Sequence, residues 1–332
     1  MRVCLVKQQG CYDLYTEVGD DVRRLAPSTA LRSGPLGLWE WPGAEVTFRV
    51  VADCDAPECR RGPAEWAPFV AGKEFPRYQG VPDDPAAVDW DQYDIVVGVD
   101  VAVPEEVVRR HPGVLWCHYF IEGGTWGADE QWADAPQHGY NVFLTQRPAR
   151  QALDRRSPLV RRFARTRRAR LDVPYYLLSD QTLQRIYGGR GGRRQGVCLA
   201  STSRPVASAR LRRELAARGP LRDGYRTPAE LHAAMVASRC FVVAPGTPPR
   251  TGGALVDAVA AGCVVLAPRS AVRSFTDLLV PWLEFEDEEG LLACLDLLVT
   301  DPARWAQARA WQAHHVRRCF WELPLRHLAL LR

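Results

Sequence analysis

At 332 residues, with 47% hydrophobic, 25% charged and 9% aromatic residues, the chain has the make-up of a globular protein of about two domains. That excludes a disordered chain, a collagen-like fibre and a small disulfide scaffold, and no apolar stretch approaches the ~18 residues a membrane span needs. Lys and Arg number 43 and Asp and Glu 39, and the net charge of +4 is too mild by itself to mark a nucleic-acid binder.

Short apolar runs predict strands at 3–6, 46–51, 95–99, 114–119, 142–145 and 173–178, and then at 197–200, 240–244 and 264–267. Helix starts are readable between them. Pro104 is followed by Glu105 and Glu106, which suit the positive end of a helix. Ser157 and Pro158 read as N-cap and first helical residue. Thr227 with Glu230 forms a capping box, and Leu231 and Met235 follow one turn apart on the buried face. Asp301 and Pro302 begin a long final helix that carries Trp305 and Trp311 and runs to Trp321.

Strand–helix alternation over this length predicts an α/β protein whose parallel sheets are covered by helices on both faces. Two Rossmann-like domains are expected, at 1–180 and 195–310, joined through the glycine-rich tract 188–194. The last segment, 301–332, is expected to cross back to the N-terminal domain. Two such halves would face a common cleft, with the functional loops beyond the carboxyl ends of the strands.

Cysteine usage points to a reducing compartment. None of the ten cysteines forms a CxxC pair, and Cys4, Cys117, Cys198, Cys240 and Cys263 sit in or beside apolar runs. Cys54 and Cys59 share a polar loop without histidines nearby, a weak zinc signal. The start MRVCLVKQQG, broken by Lys7, has no signal-peptide core, so a cytoplasmic protein is expected. Lys7 and Lys73 are the only lysines, a pattern that codon bias explains.

The richest segment runs from residue 226 to 267 as helix, strand, Gly/Pro loop, helix and strand. Its loop ends in Arg250, Thr251, Gly252 and Gly253 at the start of a helix. Backbone N–H groups at a helix N-terminus, with glycines allowing close approach, form an anion site, and Arg250 adds charge for a phosphate. Asp257, one turn inside, has the chemistry to accept from sugar hydroxyls. An ordinary tight connection is the competing reading.

This loop, the early carboxylate and the following Ala-Val-Ala-Ala-Gly-Cys-Val-Val-Leu together resemble the donor-binding segment of GT-B-fold glycosyltransferases. Retaining members read Glu-x7-Glu at this place. Asp257 matches the second carboxylate, the one that holds the nucleotide ribose, and the first falls on Pro249. Retention and inversion therefore both stay open. The resemblance further implies that Tyr225 and Arg226 contact the nucleotide base. It also implies that Arg204 and Arg210, after the strand at 197–200, neutralise the diphosphate. The connection from Arg210 to Gly224 is short, giving a compact C-terminal domain.

In the N-terminal half the resemblance implies that the loop after the first strand, with Gly10 and Asp13, faces the cleft. His118 is the candidate contact to the donor sugar, with Glu122 or Asp13 as base if the enzyme inverts. The expected activity is transfer of a sugar, a hexose by expectation, from a UDP-, GDP- or dTDP-linked donor to an unidentified acceptor. No cofactor is expected, and no metal. Two rival readings stand beside it: a non-catalytic two-domain binder of a small ligand, and a basic protein that binds nucleic acid or a membrane surface.

The segment from Arg155 to Arg170 carries eight arginines around Leu159, Val160 and Phe163. At helical spacing it reads as a solvated basic face, a contact for anionic lipid headgroups, or a phosphate-backbone contact. Peripheral membrane contact ranks above nucleic acid, which is not expected. The acidic run 284–289 reads as a helix start.

Overall fold

Val, Ile, Leu and Cys fill the strands on both faces, the composition a parallel sheet needs when helices cover it on either side. The computed structural model describes residues 1–8, 43–52, 81–99, 103–119, 139–145, 149–172, 194–225, 228–248 and 253–332. The chain divides into two compact units, Met1–Leu178 with Phe320–Arg332, and Ser179–Cys319.

The first unit contains β1 (Arg2–Gln8), β2 (Glu45–Val51), β3 (Ile95–Val99), β4 (Leu115–Tyr119), β5 (Val142–Thr145) and β6 (Ala169–Asp172). They form one sheet in the order β2-β1-β3-β4-β5-β6, every neighbouring pair parallel. Side chains alternate across it. Leu5, Val97, Leu115, Cys117 and Leu144 enter one core layer, while Cys4, Val6, Val96, Trp116 and Phe143 enter the other. Helices α1 (Glu105–Arg110) and α2 (Pro158–Thr166) lie on opposite layers, Val107 and Val108 on one and Phe163 on the other.

The helical reading of the segment Arg155 to Arg170 needs correction. Helix α2 stops at Thr166, where Arg167 turns left-handed (φ 52°) and donates its N–H to the Phe163 carbonyl at 2.7 Å. The chain then enters β6, where Leu171 opposes Leu144 and joins its core layer. Pairing with β5, invisible in an arginine-rich run, decides the conformation here. The strand expected at 173–178 lies outside the described residues.

The second unit holds β7 (Val197–Leu199), β8 (Leu221–Arg222), β9 (Cys240–Val242) and β10 (Val264–Leu266), ordered β10-β9-β7-β8 and parallel throughout. Helices α3 (Ala209–Ala217), α4 (Pro228–Ala237), α5 (Gly253–Ala260), α6 (Arg269–Val272), α7 (Glu288–Thr300) and α8 (Pro302–Val316) belong to it. Asp287 caps α7 by accepting from the Gly290 N–H at 2.7 Å, so the acidic run does begin a helix. Asp301 caps α8 in the same way, accepting from Ala303 and Arg304. Gln312 then docks α8 on the sheet: fully buried, it bonds Val265 N and O and the Leu278 carbonyl at 2.8–2.9 Å.

The helical path continues past Trp321. A π-helical stretch, Arg317–Glu322, leads into α9 (Leu323–Leu331), whose second residue is Pro324. Proline has no N–H to give to the preceding turn, and a widened turn accommodates it. The boundary between the units falls within this stretch, and α9 packs Leu325, Leu328 and Leu331 into the core layer of the first unit that holds Phe163.

Candidate functional site

In the second unit the chain runs from β7 outward to β8, then crosses back to place β9 on the other side of β7. The reversal makes the carboxyl ends of β7 and β9 a topological switch point, the place where open α/β sheets take ligands. Both strand ends are built tightly here. After β9, Ala244-Pro245-Gly246-Thr247 forms a turn closed by Thr247 N–H to the Ala244 carbonyl at 3.2 Å, with Gly246 at φ +79°. Proline followed by a left-handed glycine is the chemistry of a type II turn.

After β7, the short helical turn Ser201–Ser203 brings a fully buried Ser203 against this loop. The Ser203 hydroxyl accepts from the Ala244 N–H at 2.9 Å and lies 2.9 Å from the Thr247 hydroxyl, which itself donates to the Ala244 carbonyl at 2.6 Å. Both buried hydroxyls are thereby engaged, and the two loops hold each other. The residue after Ser203 is Arg204.

Arg204 presents a largely exposed guanidinium, its Nε 3.7 Å from Asp223 at the end of β8. Asp223 is mostly covered and is also bound by Arg212 of α3, which donates as well to the Arg204 carbonyl. Two arginines thus share one carboxylate, so the corner keeps one net positive charge. Gly224, at φ +79°, puts no side chain beside the Arg204 guanidinium, which lies 3.8 Å from where a Cβ would sit.

Tyr225 follows. Its hydroxyl donates to the Arg222 carbonyl at 2.5 Å and lies 2.9 Å from the Cys198 sulfur in β7. Burial pushes the Cys198 thiol up to about 11 and carries the Tyr225 phenol above its ordinary range, so both stay protonated at neutral pH. Tyr225 therefore stands at the strand ends with its hydroxyl spent on the fold.

Not all expected residues gather here. Arg210, in the first turn of α3, makes an exposed ion pair with Glu289 at 3.6 Å. Asp257 is buried in α5, only 2% exposed, and a carboxylate so placed depends on the groups packed around it. Gly253 is the first residue of α5. Arg226, Arg250, Thr251 and Gly252 lie outside the described residues, as do Gly10, Asp13 and Glu122. Cys54 and Cys59 do too. Ser203, Thr247, Asp223 and Arg212 were not singled out in the sequence, where only the position of Ser203 beside Arg204 and of Asp223 beside Gly224 gives any signal.

In the first unit, His118 lies near the carboxyl end of β4, paired in register with Gly98 and Phe143. It is buried, its ring edge-on to Tyr140 at 5.2 Å and tilted to Phe143 at 6.4 Å. Strand alternation puts it on the same side as Trp116. Among the described residues no group of three or more His, Cys, Asp and Glu is arranged to hold a metal ion.

No family model and no curated protein matches the sequence. Solved structures do. An alpha-glucosyltransferase in complex with UDP is similar with a TM-score of 0.51 at 10% identity, over 100% of this chain and 99% of that one. The same values hold for an alpha-glucosyltransferase with UDP and a 13-mer DNA containing an HMU base. HepE from Anabaena, in complex with UDP, gives 0.47 at 10% identity over 99% and 98% of the chains. At this identity the likeness is one of fold, and with the two parallel sheets it identifies the architecture: the chain has the GT-B fold of two Rossmann-like units.

Proposed function

We propose that this protein is a metal-independent glycosyltransferase that takes a sugar from a nucleotide-sugar donor and passes it to an acceptor. The observation that carries this reading is the corner at β7 and β9, where the Ser203–Thr247 network holds Arg204 at the switch point with one net positive charge. A diphosphate is the ligand that such a corner suits. Arg204 donates charge-assisted hydrogen bonds to it, and the amides opening α5, with Arg250 from the preceding loop, add donors. As the bond to the sugar breaks, charge grows on the leaving diphosphate, and preorganised donors stabilise it without a metal. Tyr225 and Arg226 stand for the base contact, Asp257 for the ribose and Arg210 for a second, outer charge. In the first unit His118 stands for the sugar contact, Asp13 or Glu122 for the base and Gly10 for a close backbone approach.

The solved GT-B structures were obtained with UDP, which favours UDP over GDP or dTDP as the first donor base to try. Seven free cysteines among the described residues, six of them buried, support a reducing, cytoplasmic setting.

The test is release of nucleoside diphosphate from UDP-, GDP- and dTDP-linked hexoses by the purified chain. One donor base is expected to turn over. Arg204→Ala should cost about 10- to 100-fold in kcat/KM, the worth of a hydrogen bond to a charged group. Arg250→Ala should raise the donor KM or lower kcat. Binding of a nucleotide without any turnover would turn the assignment to a non-catalytic binder, and the absence of both would remove it.

A further inference from the structure

We propose that helix α2 and its flanks form a docking surface for an anionic lipid bilayer, held by headgroup phosphates alone. Residues 155–171 contain no acidic side chain. Arg155, Arg156, Arg161, Arg162, Arg165 and Arg167 are exposed, and among the described residues none of the six lies within 4 Å of a carboxylate. Arg49, Arg109, Arg204, Arg212 and Arg218 each have such a partner. Six unopposed guanidiniums over twelve or so residues repel one another, and a surface of fixed negative charge relieves that repulsion.

The structure narrows what that surface is. The apolar side of α2 is used up: Phe163 is 3% exposed in the core with Leu325 and Leu328 of α9, and Leu159 and Val160 pack against them. The helix therefore lies flat on its own unit, with its large apolar side chains turned to the core and not offered to a bilayer. Nor is it free to enter a nucleic-acid groove, and its one aromatic ring is buried, with the Arg167 guanidinium 5.1 Å from its centroid. What remains is a shallow bank of bidentate phosphate donors, matched by a plane of headgroups. Arg168 and Arg170, taken into the strand side of the segment, are half-buried and do not belong to it.

Each basic residue held near an anionic bilayer is worth about fivefold in binding. Flotation of the full chain with phosphatidylcholine vesicles, with and without about one-third phosphatidylglycerol, measures it at about 0.1 M and about 0.5 M salt. Binding is expected only with phosphatidylglycerol, and weaker at high salt. The triple variant R161E/R162E/R165E should lose about 100-fold and the separate pair R155E/R156E about 25-fold, both with unaltered melting temperatures. Equal affinity for neutral vesicles, no binding at all, or full binding by both variants would overturn the proposal. So would a DNA duplex that strips the chain from vesicles at equal phosphate concentration. Nucleotide binding is read separately in the same samples, so loss of one function is distinguishable from loss of the other.

Discussion

Two arginine-rich regions of this molecule use the same side chain in opposite ways. At the strand ends of the second unit, Arg204 and Arg212 converge on Asp223, and Arg212 also ties down the Arg204 carbonyl. On α2 and its flanks, six exposed arginines have no carboxylate within reach among the described residues. In the first region charge is balanced to within one unit, and the chain around it is held by buried hydrogen bonds. In the second it is left unbalanced on a helix whose packing does not depend on it. Charge that is ordered by neighbours serves a ligand of defined shape, while charge left open serves a surface.

The sharpest way to break this contrast is Arg212→Met. It removes the firmest partner of a mostly covered carboxylate and a donor to the Arg204 carbonyl, so a loss of about 2–3 kcal/mol in urea unfolding is expected. Nucleotide affinity should fall with it, because Arg204 loses its anchor. A variant as stable as the parent would mean that the pair is solvated and that the corner is not preorganised.

Next comes Ser203→Ala. The Ala244 N–H then loses its acceptor in a fully buried place, at a cost of about 1–3 kcal/mol, whereas Thr247→Ser keeps the hydroxyl and should cost well under that. If both substitutions are equally mild, the two loops are not held by this network.

Much of the fold was legible because parallel strands buried on both faces are continuous apolar runs: Ile95–Val99 and Val142–Thr145 fall where the sequence places them. Two strands escaped. Leu221–Arg222 is too short to show a period, and Ala169–Asp172 is disguised by its arginines, its conformation set by β5. For the proposed site, Arg204 was named through the resemblance, by its place after a strand. The Ser203–Thr247 contact was not, since it joins loops 44 residues apart in sequence. The ion pair that occupies Arg210 comes from α7, and the depth of Asp257 comes from packing around α5. Neither has a local signal.

A smaller effect sharpens the description of the first unit. The Leu153 N–H, just before α2, donates to His327 Nε2 of α9 at 3.2 Å, and burial holds the His327 imidazole below its ordinary pKa. A depressed histidine contributes stability that is present above about pH 6.5 and is lost as pH falls toward the folded value, because the unfolded chain then binds the extra proton. Thermal melts from pH 7.5 to about 5 should show a decline, flattened in His327→Gln. An identical pH profile in the variant would assign the decline elsewhere.

The smallest expected change is in the folding stability of R161E/R162E/R165E, within about 0.5 kcal/mol of the parent for the triple variant as a whole. A large loss would show that these arginines are structural after all, and the contrast with Arg212 would disappear.

Calorimetric titration of the chain with UDP, GDP, dTDP and NAD, repeated on Arg204→Ala, tests the switch-point corner most directly. One nucleoside diphosphate should bind, and at about 100 times its Kd it should stabilise the fold by about 2.7 kcal/mol, with the affinity falling about 10- to 100-fold in the variant. Binding of NAD in its place, or nucleotide affinity indifferent to Arg204, would contradict a donor diphosphate seated at β7 and β9.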